Sequence, residues 1–186
     1  MISRRALTAA DLERTKIFAS EYRSRTYLEV EESGSEPELQ WTLREALAPH
    51  ELRRRLEGQS VAGLAELYGP REQLKFIGAF EEEDLVGLVT WRWERWNSMV
   101  WLCDIRVRDD RRRQGIARRM FEDLQWQAMR LNARGIMLET QNTNHPAVQF
   151  YLNLGFQLTG LNTSLYGPIG SELADIALFF YFRLSD

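Results

Sequence analysis

Nine residues, RRRQGIARR from Arg111 to Arg119, hold the densest chemistry in the chain. A polar loop carrying one glycine, Gly115, leads out of an apolar run and into a stretch with helical periodicity. Where a strand hands over to a helix in this way, the first backbone N–H groups of the helix have no intrahelical acceptor and lie at the positive end of its dipole. Such a turn is an anion site suited to phosphate. Gly115 presents no side chain to obstruct an anion's approach, Ala117 adds only a methyl group, and the arginines supply charge at the rim. The same residues admit two other readings: a solvated basic face, or a docking surface for nucleic acid.

Little else is reactive by residue type and spacing alone. Cys103 lies in the apolar run MVWLCDI, as a buried filler would, and no histidine falls where it would activate that thiol. His50 and His145 are isolated, and no metal-ligand spacing exists. The run Trp91-Arg-Trp-Glu-Arg-Trp96, with Trp101, could stack on bases, although cross-strand packing in a hairpin accounts for the same pattern. Glu29, Glu31 and Glu32 could draw in a cation or simply solvate the surface, and Glu81, Glu82, Glu83 and Asp84 read as a solvated turn.

The elements that must position these residues change character along the chain. Thr8 and Asp11 stand in a capping-box relation before LERTKIFASEYR, and this segment and LREALAPHELRRRLEG are predicted as helices. Between them YLEVEESGSEPELQW reads as a loop or an isolated strand. From Gln73 three β-rich runs, QLKFIGAF, LVGLVTWRWERW and MVWLCDIRVR, are joined by the short polar turns EEED and NS, which predicts an antiparallel meander. The third run is apolar on both faces and should be a central strand. A helix follows with Ala117, Phe121, Leu124, Ala128 and Leu131 on one face, and Gly135 is expected as its C-terminal cap. The strand IMLETQ after it should lie parallel to the third run, because strand, helix, strand is a crossover. A second helix is expected from Asn144, with Pro146 in its first turn, to Gly155. FQLTGLNTSLY and ADIALFFYFRL, joined by GPIGSEL, close the fold as a hairpin.

The whole chain bounds what these elements can be. At 186 residues it fits one domain, 1–186, with a helical N-terminal part of about 70 residues and a core from 73 onward. With 44% hydrophobic and 27% charged residues it has the composition of a folded globular protein. A net charge of −3 means that any nucleic-acid reading must rest on a local patch. One cysteine permits no disulfide within the chain, and no stretch is long and apolar enough to cross a bilayer, so a cytoplasmic setting is expected.

Arg112-x-x-Gly115-x-Ala117 after a buried strand, followed by a helix, a strand and Asn144-x-x-Ala147-x-x-x-Tyr151-x-x-x-Gly155-Phe156, resembles the GNAT superfamily of acyl-CoA-dependent N-acetyltransferases. The resemblance covers about Gln73 to the C-terminus. Within that superfamily CDIRV, GIMLETQNTN, FYLNLGF and the later SLY are most similar to streptothricin acetyltransferases. It implies an α/β (α+β) fold: a mixed, mostly antiparallel twisted sheet, its central parallel pair splayed for acetyl-CoA, flanked by helices.

The resemblance further implies transfer of an acetyl group from acetyl-CoA to a primary amine of a small molecule, in a setting such as antibiotic resistance. It places the pyrophosphate on Arg112, Arg113, Gln114, Gly115, Ile116, Ala117 and Arg118, and the pantetheine arm against Ile105, Arg106, Val107, Asn144 and Ala147. An amine that is mostly protonated at neutral pH needs a base, and Asp104, which interrupts an apolar strand, is the first candidate, with Glu139 the second. The alternative for Asp104 is a buried carboxylate paired with a neighbouring arginine. Asp175 is a further carboxylate that could meet an amine. Tyr151 is implied as the acid that protonates the departing thiolate, and it also contacts the cofactor. The first 70 residues would form the acceptor side. Other readings are acetylation of a protein N-terminus or lysine, a nucleic-acid module on Arg111–Arg119, and a silent acyl-CoA-binding regulator. No nucleic acid, membrane or metal partner is expected, and a homodimer is compatible with the sequence.

Overall fold

The computed structural model describes residues 1–8, 11, 17–58, 60–166, 173 and 175–184. In chain order its elements are β1 (Ile2–Ala6), β2 (Ser20–Ser35), β3 (Glu38–Leu56), α1 (Val61–Tyr68), β4 (Leu74–Glu81), β5 (Asp84–Glu94), β6 (Met99–Val107), α2 (Ile116–Arg130), β7 (Gly135–Gln141), α3 (His145–Leu154), β8 (Gln157–Asn162) and β9 (Ala177–Arg183). The chain divides into two compact units. The first comprises Met1–Glu21, Arg55–Leu138 and Tyr181–Asp186, and the second Tyr22–Arg54 and Glu139–Phe180.

In the first unit the strands run in the order β1-β4-β5-β6-β7. β4, β5 and β6 form the expected antiparallel meander, with Phe76 opposite Thr90 and Val89 opposite Ile105. β6 is an interior strand between β5 and β7, and its Met99, Val100 and Leu102 are buried. The β5–β6 register shifts beside Trp91, so that Thr90 faces Asp104 while Trp91 faces Leu102 and Cys103 is the extra residue. A bulge of this kind turns the strand and re-aims its side chains. β7 runs parallel to β6, as the crossover requires, over Met99↔Gly135 to Trp101↔Met137, and there the register stops.

α2 covers one face of this sheet with Ile116, Met120, Phe121, Leu124 and Ala128. Its approach is close, because a Cβ at Gly87 would stand 2.8 Å from Met120 Cε. The other face carries Ile17, Leu64, Leu74, Phe76 and Leu88, with Cys103 against them. The helix stops before Gly135: the left-handed residue that ends it is Asn132, at φ 52°. Gly135 begins β7 instead, where a Cβ would strike the Tyr181 ring and the Phe182 carbonyl. Leu131, expected on the buried face, is exposed.

In the second unit β9 lies between β7 and β8, while β2 and β3 form a two-stranded sheet of their own. This corrects the expected helical N-terminal third. LREALAPHELRRRLEG is rich in helix formers, yet most of it is strand β3, and SEYR belongs to β2. Intrinsic preference is a weak force that pairing overrides. Pro49, which would break a helix interior, is tolerated because each strand of a two-stranded sheet has an open edge. Arg44 of β3 bonds Glu29 and Glu31 of β2, and Trp41 Nε1 donates to Glu32 at 3.0 Å, so the acidic run is paired across the hairpin. Thr8 and Asp11 do form the capping box, through Thr8 N–H to Asp11 Oδ2 (2.7 Å) and Asp11 N–H to Thr8 Oγ1 (3.2 Å). Residues 12–16 of the helix expected there, and most of the GPIGSEL connection, lie outside the described residues. α3 starts and ends as the sequence implies: Asn144 Oδ1 accepts from Ala147 N–H, Pro146 is in the first turn, and Gly155 takes φ 98°.

Candidate functional site

The glycine turn follows β6 through a single 3-10 turn at Asp109–Arg111 and delivers the chain to α2. Two residues in it are left-handed, Arg113 at φ 60° and Gly115 at φ 75°. A Cβ at Gly115 would meet nothing nearer than the Arg119 guanidinium at 3.9 Å. Glycine is therefore needed for its backbone angle, and the space in front of it is open. Gly115 is the N-cap residue and no side chain caps the helix, so first-turn amides such as those of Ile116 and Ala117 lack a side-chain acceptor. This is the arrangement that binds anions.

The arginines divide their labour. Arg111 clasps Glu81 at 2.6 Å and Asp110 at 3.0 Å. Arg112 donates to the carbonyls of Val107 (3.3 Å) and Glu21 (2.5 Å) and pairs with Asp109 at 2.7 Å. Both side chains hold the turn in shape. Arg113, Gln114, Arg118 and Arg119 stay on the surface beside it. Ile105, Arg106 and Val107 sit at the end of β6, paired with Val89, Leu88 and Gly87 along one edge.

Asp104 and Arg106 form a buried ion pair on that strand. Arg106 Nε donates to Asp104 Oδ2 at 2.5 Å, and the two side chains are only 8% and 3% exposed, in the order Asp104, Arg106. Burial pushes the Asp104 carboxyl above the ordinary range, and the neighbouring guanidinium offsets part of that rise. Arg106 Nη1 and the opposing Thr90 Oγ1 are buried without a partner among the described residues. The sequence could flag Asp104 as a polar residue in an apolar strand; it could not show that Arg106 turns inward to meet it.

Glu139, in β7, belongs to a different kind of cluster. Tyr166 O–H donates to Glu139 Oε2 at 2.6 Å, and Gln141 Nε2 donates to the same Tyr166 oxygen at 2.9 Å. Among the described residues Glu139 Oε1 is buried with no partner. Burial raises the Glu139 pKa, the phenol donor and Arg54 pull it down, and nearby Asp175 raises it further. Asp175 itself is 4% exposed and spent on Arg54 Nη1 (2.9 Å) and Thr143 Oγ1 (2.5 Å). Of these groups, Asp175, Arg54 and Thr143 border a cavity of about 240 Å³ that Tyr22, His50, Glu51 and Arg53 also line. Tyr166 was the residue that sequence reasoning missed as a partner for Glu139, although SLY stood out in the sequence.

Tyr151, on α3, is 8% exposed and packs against Phe150, Phe156 and Phe180 with ring centroids 5.5, 5.7 and 6.2 Å away. Asn144 Oδ1 and the Ala147 amide are occupied by the helix cap. Cys103 is packed in the core and its thiol is pushed up to about 12 by burial, in keeping with a filler. Of the tryptophans, Trp91 is buried and Trp101 takes the Arg92 guanidinium over its ring at 5.5 Å, directly across the ladder, which is the cross-strand packing reading.

Residues 20–156 match the model of the acetyltransferase (GNAT) family. Streptothricin acetyltransferase of Streptomyces lavendulae is 31% identical over 97 residues, 52% of this chain and 51% of that protein. Its namesake from Escherichia coli is 31% identical over 104 residues, covering 56% and 59%. The chain thus spans little more than half the length of the curated relatives it matches. The crystal structure of nourseothricin acetyltransferase superposes with a TM-score of 0.81 at 24% identity over 99% of both chains. A Bacillus anthracis str. Ames protein, described as a streptothricin acetyltransferase and solved with acetyl coenzyme A, gives 0.75 at 21% identity over 100% and 98%. At these identities the two structures establish a shared fold. No helix among the described residues is long and apolar enough to cross a membrane. With the family model matched over residues 20–156, well beyond half its length, the chain belongs to the GNAT family of acetyltransferases.

Proposed function

We propose that this protein transfers an acetyl group from acetyl-CoA to a primary amine of a small cationic molecule of the streptothricin type. The observation that carries the reading is the glycine turn: an uncapped helix N-terminus behind an open left-handed glycine, placed directly after β6, where the parallel register with β7 ends at Trp101. That arrangement fits a pyrophosphate, with the Gly115, Ile116 and Ala117 amides as cradle and Arg113 and Arg118 at the rim. Because Arg111 and Arg112 are occupied in shaping the turn, less of the basic run is left for nucleic acid. The β6 backbone at Ile105–Val107 would pair with the amides of the pantetheine arm.

Acetyl-CoA supplies the activated acyl group. The amine nitrogen attacks the thioester carbonyl carbon; the C–N bond forms, the C–S bond breaks, and the sulfur leaves with the electron pair. An alkylammonium near pKa ~10 must first lose a proton, and we assign that task to Glu139, whose Oε1 has no partner, rather than to Asp104, whose carboxylate is tied to Arg106. As the C–S bond breaks, Tyr151 gives its phenolic proton to a thiolate whose conjugate acid lies near ~8.5, and the phenolate takes up the second proton that the acylated nitrogen sheds.

The test is a thiol-release assay with acetyl-CoA against streptothricin, simple diamines, and peptides with free N-termini or lysines. Turnover of streptothricin at a kcat/KM at least a hundredfold above that for any peptide is the expected result. Preference for peptides would move the acceptor to proteins, and no turnover of any amine would sink the reading.

A further inference from the structure

We infer that Tyr166 is a positioning residue: it holds the Glu139 carboxylate by one oxygen so that the other, Oε1, is presented as the proton acceptor for the incoming amine. The inference rests on the proposed amine acetylation and on the role given there to Glu139.

The direction of the hydrogen bonds makes the case. A phenol has one proton, and Gln141 Nε2 donates to the Tyr166 oxygen, so that proton is committed to Glu139 Oε2. Burial and the adjacent carboxylate keep the Tyr166 hydroxyl in its neutral, donating form. Glu139 is thus fixed at one oxygen by a neutral donor, while Oε1 stays buried and unbonded. A buried carboxylate oxygen with no partner is costly and uncommon. An arriving amine N–H would satisfy it.

The other charged groups that act on Glu139 are Asp175, before β9, and Arg54, of β3, and these two are paired with each other at 2.9 Å. They change little when Tyr166 is altered. The phenol donor favours the ionised form of Glu139, so its removal must raise the Glu139 pKa. Tyr166→Phe keeps the ring and deletes only the hydroxyl. The acid limb of the kcat/KM profile should then move up by about half to one pH unit, lowering the rate about three- to tenfold below that limb while high-pH activity recovers. KM for acetyl-CoA should not change.

The experiment pairs that profile, for the wild type and Tyr166→Phe, with a ¹³C titration of the Glu139 carboxyl, assigned by its loss in Glu139→Gln. The acid limb of the profile and the ¹³C titration shifting upward together is the expected result. A Tyr166→Phe profile that falls equally at every pH, or one that matches the wild type, overturns the positioning role, as does a Glu139 titration that the substitution leaves in place. The acetyl-transfer reading survives any of these, since it is judged by wild-type turnover alone. Wild-type protein that acetylates no amine overturns that reading and the positioning role with it, even if the titration shifts.

Discussion

Replacing Asp104 by Asn separates a structural carboxylate from a catalytic one. Asp104 and Arg106 are 8% and 3% exposed and joined at 2.5 Å, and Arg106 Nη1 already lacks an acceptor. Removing the negative charge leaves a guanidinium buried without its anion, which costs about 3–5 kcal/mol. For a chain of this length each kcal/mol lowers Tm by about 2–4 °C, so Asp104→Asn should melt roughly 6–20 °C below wild type. Thermal unfolding followed by circular dichroism measures this. Asp104→Leu combined with Arg106→Met, which removes both charges and keeps the volume apolar, should recover most of the loss, because a buried pair replaced as a unit is often neutral. At a temperature where the Asn variant is folded, its kcat should stay within about tenfold of wild type, less than the ~10²–10⁴ that a general base contributes. A Tm within about 2 °C of wild type, with a kcat reduced a hundredfold or more, would refute the reasoning and return the base to Asp104.

Gly115→Val puts a β-branched residue at φ 75° and a side chain in the open space before the helix; KM for acetyl-CoA should rise at least tenfold, with a Tm loss from about 1–3 kcal/mol of strain. An unchanged KM in initial-rate kinetics would remove the phosphate cradle. Tyr151→Phe keeps the ring contacts with Phe150, Phe156 and Phe180, so Tm should hold while kcat for thiol release falls by about 10²–10⁴. Equal kcat in the two proteins would make Tyr151 a core residue. Burial raises the Glu139 pKa above its ordinary 4.5, so the folded state binds this proton more tightly than the unfolded chain, and the associated stability is full below pH 4.5 and lost as pH climbs through the folded value. Glu139→Gln should therefore gain Tm relative to wild type between pH 4 and pH 7; a constant difference across that window would show that Glu139 is not desolvated.

What could be read in the sequence depended on where the decisive forces act. The meander, the crossover and both cap residues of α3 follow from periodicity and turn chemistry within a few residues of each other, and the structure agrees with them. β2 and β3 were opaque for the opposite reason: nothing local in LREALAPHELRRRL opposes a helix except Pro49, and the contacts that make it a strand come from Glu29, Glu31 and Glu32 on the partner strand. Gly135 misled because a glycine after a helix suits two roles, and only the Tyr181 ring, 46 positions later in sequence, selects the second. The glycine turn was legible because what marks it is a left-handed backbone, and backbone geometry is what Gly115 reports. The carboxylates were legible as candidates only, since their partners Arg106, Tyr166 and Arg54 are chosen by folding.

Those partners divide the three buried carboxylates by chemistry. An arginine satisfies a carboxylate by pairing with its charge: Asp104 and Asp175 each receive a guanidinium, which occupies a carboxylate oxygen. A phenol satisfies one oxygen by donation and leaves the net charge intact. Glu139, held by Tyr166 at one oxygen, keeps a second, buried oxygen that has no partner among the described residues, and burial raises its pKa. A base for an ammonium needs that combination, since it must be ionised when the amine arrives and yet hold the proton once taken. Sequence position favoured Asp104, which stands out in an apolar strand; bonding favours Glu139, because the side chain that stands out on β6 has already been neutralised by its neighbour.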